Sequence, residues 1–202
     1  MPKKLKIAIT GGIGAGKSEV SRIISESGFK VINADQVAKE ILSNDSVVKE
    51  MIIAEFGKES YTGNEPNKIY LAENVFSDSH NVEKINSIIH PRTIKRIFEY
   101  AEEALLKYHL VFVESALIFE AKREELFDYI IHVNSSMEHR LERSIESKNI
   151  SKFEVEMRMS HQIDEEIKKK KSDFIIENNS TLKDLEQKTK FVLTLLESIS
   201  KG

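Results

Sequence analysis

Eight consecutive residues, Gly11-Gly12-Ile13-Gly14-Ala15-Gly16-Lys17-Ser18, carry chemistry in both their types and their spacing. They fit G-x-x-x-x-G-K-[ST], a phosphate-binding P-loop, at every fixed position. The flanks suit that reading. Lys6-Ile7-Ala8-Ile9-Thr10 reads as a short buried strand, and Ser18 to Ser27 as a helix with Val20, Ile23 and Ile24 on one face. A strand, a glycine-rich turn and a helix start aim a row of backbone N–H groups at one point, where the helix dipole adds positive potential. A triphosphate fits there because no side chains block it. Lys17 would bridge the β- and γ-phosphates, and the Ser18 hydroxyl would ligate Mg²⁺. The competing reading, a glycine-rich turn with no ligand, explains neither flank.

The elements that must position this loop follow a regular pattern. Short apolar stretches at Leu5 to Thr10, Phe29 to Asn33, Leu110 to Glu114, Tyr129 to Val133 and Asp173 to Glu177 read as strands. Longer helical stretches alternate with them, which predicts an α/β fold with a parallel sheet covered on both faces. The last helix, Leu182 to Ile199, carries Leu182, Leu185, Val192, Leu196 and Ile199 at helical spacing. Two segments break the alternation. The stretch 34–109 is far longer than a plain crossover and holds a polar turn at Thr62-Gly63-Asn64-Glu65-Pro66-Asn67, so it is expected to form a substrate-binding lobe. The stretch 135–171 is dense in charge, with Arg140, Arg143, Arg158 and the run Lys168 to Lys171, and is expected to be a helical lid. The core is then 1–33, 110–134 and 172–202 of a single P-loop domain.

Composition narrows the function classes. A chain of 202 residues with 40% hydrophobic content can fill one ordinary core. A net charge of −3 supplies no global basic field for nucleic acid. The lysine run reads as a solvated helix face. Cysteine is absent, which excludes disulfides, thiolate metal sites and a cysteine nucleophile. The apolar run before the P-loop is too short for a signal peptide or a membrane span, so a cytoplasmic protein is expected.

The chain resembles the dephospho-coenzyme A kinase family over nearly its whole length. The resemblance is carried by Ile9-Thr10-Gly11-Gly12-Ile13-Gly14 opening the P-loop, by Val31-Ile32-Asn33-Ala34-Asp35 closing the second strand, and by Phe76 and Ile89-His90-Pro91 in the lobe. Leu117-Ile118-Phe119-Glu120, Arg143, Gln162 and Ser172-Asp173 with Asn178 follow in the same order. The resemblance implies a three-layer P-loop fold with a five-stranded parallel sheet, a helical substrate-binding insertion and a helical lid. It implies ATP-dependent phosphorylation of the ribose 3′-hydroxyl of dephospho-coenzyme A, with Mg²⁺ as cofactor. The expected ATP contacts are Gly12, Ile13, Gly14, Ala15, Gly16, Lys17, Ser18, Glu19 (through its backbone N–H), Arg140 and Arg143. The expected acceptor contacts are Asp35, Lys68 and His90, and the catalytic set is Lys17, Asp35 and Arg143.

Some of these residues carry alternatives. Asp35 is the expected carboxylate for the acceptor hydroxyl's proton, yet its place before a helical stretch also makes it a good N-cap. His90, before Pro91 at an expected helix start, reads equally as a structural histidine at a bend. Glu114 ends an apolar strand as a Walker-B carboxylate does, which would hold Mg²⁺ through water; a solvated strand end is the other reading. Lys68 replaces an arginine usual in the family, keeping charge but losing the bidentate fork. Ser147 falls where a second lid arginine is usual, so Arg140, three residues before Arg143, is expected to share its work. Residues alone leave open another small-molecule kinase of the nucleoside monophosphate type, or a slowly hydrolysing P-loop switch. Oligomeric state is not legible.

Overall fold

The computed structural model describes residues 2–75, 77–148, 155, 159 and 162–202. Phe76 and Arg158 lie outside the described residues, as does the side chain of Ser147. The chain packs as two compact units, Met1–Ile32 with Ala101–Gly202, and Asn33–Tyr100.

The first unit is built on a five-stranded sheet. Its strands are β1 (Leu5–Thr10), β2 (Lys30–Asn33), β5 (Leu110–Glu114), β6 (Tyr129–Asn134) and β7 (Phe174–Glu177), in the order β2-β5-β1-β6-β7. β1 pairs in parallel with β5 and β6, and β6 with β7. All five expected strands are present; β2 and β7 each start one residue late, and β6 runs on to Asn134. Asp173 stays outside β7 because its carboxylate accepts the Ile130 N–H at 2.8 Å. Every residue of β5 is buried, as a strand covered on both faces must be.

One sheet face is covered by α1 (Lys17–Glu26) and by the long C-terminal helix, labelled α8 (Leu182–Lys201). Val20, Ile23 and Ile24 pack there with Leu185, Val192, Leu193 and Leu196 against Ile7, Ile9, Leu110 and Phe112. A second apolar cluster joins Ala8 and Ile130 to Ile118, Phe119, Phe127 and Ile163. Helices α6 (Met137–Lys148) and α7 (Glu165–Lys171) come from the segment expected to be a lid. Because β1 lies between β5 and β6, the loop leaving its carboxyl end sits at a switch point of the sheet, where ligands bind in such folds.

The second unit is helical. It holds α2 (Ala34–Asn44), α3 (Ser46–Phe56), α4 (Lys68–Asn74) and α5 (Ser79–Ala104, whose last turn enters the first unit). The polar turn is the tip of a small antiparallel hairpin, β3 (Tyr61–Thr62) with β4 (Glu65–Pro66), and Gly63 takes a φ of 64° there. Tyrosine hydroxyls tie it together: Tyr61 donates to the Leu42 carbonyl at 2.8 Å, and Tyr70 to the Phe56 carbonyl at 2.7 Å. His90-Pro91 is not at a helix start, as the sequence suggested; both lie inside α5. Proline removes one helical N–H and crowds the carbonyl four residues back, but the face here is open: Ser87, His90 and Pro91 are exposed. Buried Ile85, Ile89, Thr93 and Ile97 recur at helical spacing and carry the helix through it. Among the described residues no helix is long and apolar enough to cross a membrane.

Candidate active site

The P-loop runs from the end of β1 into α1, and α1 begins without a side-chain cap. Its N-cap is Gly16, at φ 97°, with no side-chain hydrogen bond. The starts of α2, α3, α4, α7 and α8 are each closed by a side chain, from Asn33, Asp45, Asn67, Asp164 and Thr181. An uncapped N-terminus leaves orphan N–H groups and the positive end of the dipole for an anion. Glycine at position 16 serves a second purpose. A Cβ there would collide with the amide of Asn178, which donates to the Ala15 carbonyl at 2.9 Å. A Cβ on Gly12 would likewise strike the Arg140 guanidinium. The loop glycines therefore let supporting side chains reach the backbone directly.

A cleft of about 500 Å³ opens at the loop, lined by Ile13, Gly14, Gly16, Lys17 and Ser18 together with Arg143 and Glu146 of α6. Lys17 Nζ donates to the carbonyls of Gly11 and Gly12 at 3.0 Å each, which folds the ammonium back over the loop. Arg143 Nη1 donates to Ser135 Oγ at 3.2 Å and to the Asn178 carbonyl at 3.1 Å. Ala15 is buried within the loop. Glu19 turns its carboxylate to Arg22 at 2.6 Å, and that pairing holds it below the usual carboxylate range. Its N–H donates to the Gly16 carbonyl at 3.1 Å, inside the first helical turn.

Glu114 is not a solvated strand end. It is 7% exposed, and its Oε1 accepts from Ser18 Oγ at 2.9 Å. The parallel register that sets Ile9 beside Glu114 brings this carboxylate to the loop. A hydroxyl and one carboxylate suit Mg²⁺, which takes its remaining ligands from phosphates and water. Among the described residues no cluster of three or more His, Asp or Glu side chains could hold a metal by itself.

Arg140 stands differently from the expectation that it faces the same way as Arg143. It is 7% exposed, donates from Nε to the Ile13 carbonyl at 3.0 Å, and lies 3.4 Å from Glu165 Oε1. Its guanidinium is packed against the loop backbone, because Glu165 and the Ile13 carbonyl together satisfy it in the interior.

The lobe residues are placed separately. Asp35 is exposed in the first turn of α2 and is not the cap; Asn33 is, its side chain accepting the Gln36 N–H at 2.9 Å. The cap reading of Asp35 therefore falls. Lys68 is exposed as the first residue of α4, and His90 is exposed on α5. A cleft of about 400 Å³ within this unit is lined by Glu40, Asp45, Arg92, Arg96 and Tyr100 among others. Sequence reading passed over Arg92 and Arg96, although their spacing of four after Pro91 puts both on one helix face. It also passed over Glu165, His132 and Ser135, whose partners are too far along the chain for spacing to signal. Gln162 and Asn178 were visible only as landmarks; here Gln162 Oε1 accepts the Ile13 N–H at 3.0 Å.

The family model for dephospho-CoA kinase matches residues 5–184. A dephospho-CoA kinase of Fusobacterium nucleatum is 40% identical over 184 residues, covering 90% of this chain and 93% of the relative. One from Listeria monocytogenes is 35% identical over 202 residues, covering 97% and 98%. The solved dephospho-CoA kinase of Campylobacter jejuni superposes with a TM-score of 0.73 at 28% identity, covering 96% of this chain and 97% of that one.

Proposed function

We propose, because the chain belongs to the dephospho-CoA kinase family, that it transfers the γ-phosphate of ATP to the ribose 3′-hydroxyl of dephospho-CoA, giving CoA and ADP. The observation that carries the reading is the P-loop itself, an uncapped helix start with Lys17, Ser18 and the buried Glu114 around it. Phosphoryl transfer asks little covalent chemistry of a protein; it asks for alignment, charge neutralisation and a proton acceptor. The N–H groups of the loop other than those of Ile13 and Ala15, which donate to Gln162 and to the Gly12 carbonyl, would cradle the phosphates, and Lys17 would swing from the Gly11 and Gly12 carbonyls onto the β- and γ-phosphates. Ser18 and, through water, Glu114 would hold Mg²⁺, which when bound neutralises phosphate charge. Arg143 would supply a cation at the cleft wall. Asp35, released from capping by Asn33, would accept the proton of the 3′-hydroxyl, with Lys68 and His90 contacting the acceptor.

The unit Asn33–Tyr100 would serve as the acceptor lobe, the segment 135–171 as the lid, and the reaction would run in the cytoplasm. Purified protein given ATP, Mg²⁺ and dephospho-CoA should produce CoA in step with ADP. ADP appearing with a nucleoside monophosphate but not with dephospho-CoA would replace this reading with a kinase of the other acceptor.

A further inference from the structure

Both backbone polar groups of Ile13, in the middle of the P-loop, are held by side chains from outside the loop. The N–H donates to Gln162 Oε1 and the carbonyl accepts from Arg140 Nε, each at 3.0 Å. Arg140 is held in turn by Glu165, whose Oε1 lies 3.4 Å from Nη1. Gln162 and Glu165 are three residues apart, so one short stretch grips Ile13 at both ends, once directly and once through an arginine.

That stretch is fixed by a buried ionic cluster. Glu165 Oε2 lies 3.1 Å from His132 Nε2, and Oε1 lies 3.5 Å from Lys168 Nζ. Lys168 Nζ meets Glu120 Oε1 at 2.8 Å, and the same oxygen accepts the Ile163 N–H at 3.1 Å. His132 and Lys168 are fully buried. Arg140 and Lys168 balance Glu165 and Glu120, so the charges cancel. Buried ion pairs are commonly no more stabilising than well-packed apolar residues of the same volume. Stability alone is therefore a poor account of a cluster this costly to desolvate. What it does impose is the location of Arg140, and with it the position of a loop whose N–H groups must meet phosphate oxygens within a fraction of an ångström.

We propose that Gln162 and Glu165 are positioning residues for the nucleotide: they set the P-loop at Ile13, Gln162 by its own hydrogen bond and Glu165 through Arg140. The proposal rests on the kinase reading only in taking ATP and ADP as the ligands. Two variants test it. Gln162→Ala removes no charge from the interior. Glu165→Gln paired with Lys168→Gln removes one buried charge of each sign. Direct titration with ADP should show binding weakened about tenfold in each folded variant, the worth of one charged or well-oriented hydrogen bond. KM for ATP should rise in parallel, while KM for dephospho-CoA stays within about twofold of wild type. A merely structural role would lower the melting temperature and leave ADP affinity in the folded protein unchanged, and that outcome overturns the proposal. If the paired variant does not fold, Gln162→Ala decides alone, and wild-type ADP affinity there overturns it too. Failure of the wild type to make CoA would count against the acceptor assignment; the ADP titration reads the clamp independently.

Discussion

The P-loop and the Asn33–Tyr100 unit solve different recognition problems, and their side chains show it. Around the loop, supporting groups come from β6, α6, α7 and the segment after β7, and most are buried: Arg140, Ser135, Asn178 and His132 are each under a tenth exposed. Arg140 and Asn178 each fix a carbonyl of the loop, while Ser135 and His132 hold the side chains of Arg143 and Glu165. In the helical unit the candidate residues Asp35, Lys68 and His90 are exposed on three different helices. Its ion pairs, such as Arg92 with Asp45 at 3.4 Å and Arg96 with Glu99 at 3.4 Å, are open to water. A phosphate cradle is made of backbone N–H groups, which cannot adjust once the ligand arrives, so it must be preformed. Acceptor recognition uses side chains, which can move into place. Substitutions at the cradle should therefore act on the nucleotide alone, and those in the lobe on the acceptor and its proton.

The largest expected effect tests the lobe. Asp35→Asn should lower kcat by about 10² to 10⁴, the range for lost general acid–base help. Stability should change by no more than about 0.5 kcal/mol, because Asn33 already caps α2 and Asp35 is exposed. Full kcat in Asp35→Asn would leave the lobe without its proton acceptor. Next comes Lys17→Ala, which should keep the fold and cost on the order of 10² to 10³ in rate, as for loss of one well-placed transition-state donor. Circular dichroism beside steady-state kinetics separates the two effects; near-normal turnover would break the cradle reading.

Arg143→Ala should cost about 10² in kcat/KM for ATP, the worth of one or two charged hydrogen bonds in a partly dry site. The figure stays below that of a free transition-state arginine because Nη1 is anchored by Ser135 and the Asn178 carbonyl. KM for dephospho-CoA should not move. If it moves and the ATP parameters do not, the division between cradle and lobe is drawn in the wrong place.

How much could be read in advance follows the same division. The P-loop was legible because its glycines, Lys17 and Ser18 are contiguous and each is demanded by phosphate chemistry. The five strands were legible because buried parallel strands write themselves as apolar runs. Glu114 was legible as a strand-end carboxylate, but only the register between β1 and β5 brings it to Ser18. Arg140 was misread because a spacing of three on a helix says which residues are neighbours, not which one the core takes in. The alternative cap reading of Asp35 stood in the sequence only because Asn33, ending a strand, gave no sign that it also starts the helix. Glu165, placed twenty-five residues after Arg140 and thirty-three after His132, had no local signal at all.

The smallest expected effect concerns that last residue and is read in stability. Burial alone would raise the Glu165 pKa, but the His132 imidazole and the Arg140 and Lys168 cations outweigh it and bring the carboxyl down to about 2, from 4.5. The groups facing it are His132 from β6, Arg140 from α6 and Lys168 from its own helix, with Glu120 reached through Lys168. A folded-state pKa below the unfolded one means that the ionised group stabilises the fold above about pH 4.5. That contribution is lost as pH falls from there toward 2, since the unfolded chain takes up the proton first. Thermal melts of wild type and Glu165→Gln should therefore differ by several degrees at pH 6, with wild type the more stable. The gap should shrink by more than half at pH 3, where the unfolded carboxyl is already protonated. A gap of constant size between pH 6 and pH 3 would mean that Glu165 acts through shape and not charge. Arg140 would then hold the Ile13 carbonyl without an electrostatic partner.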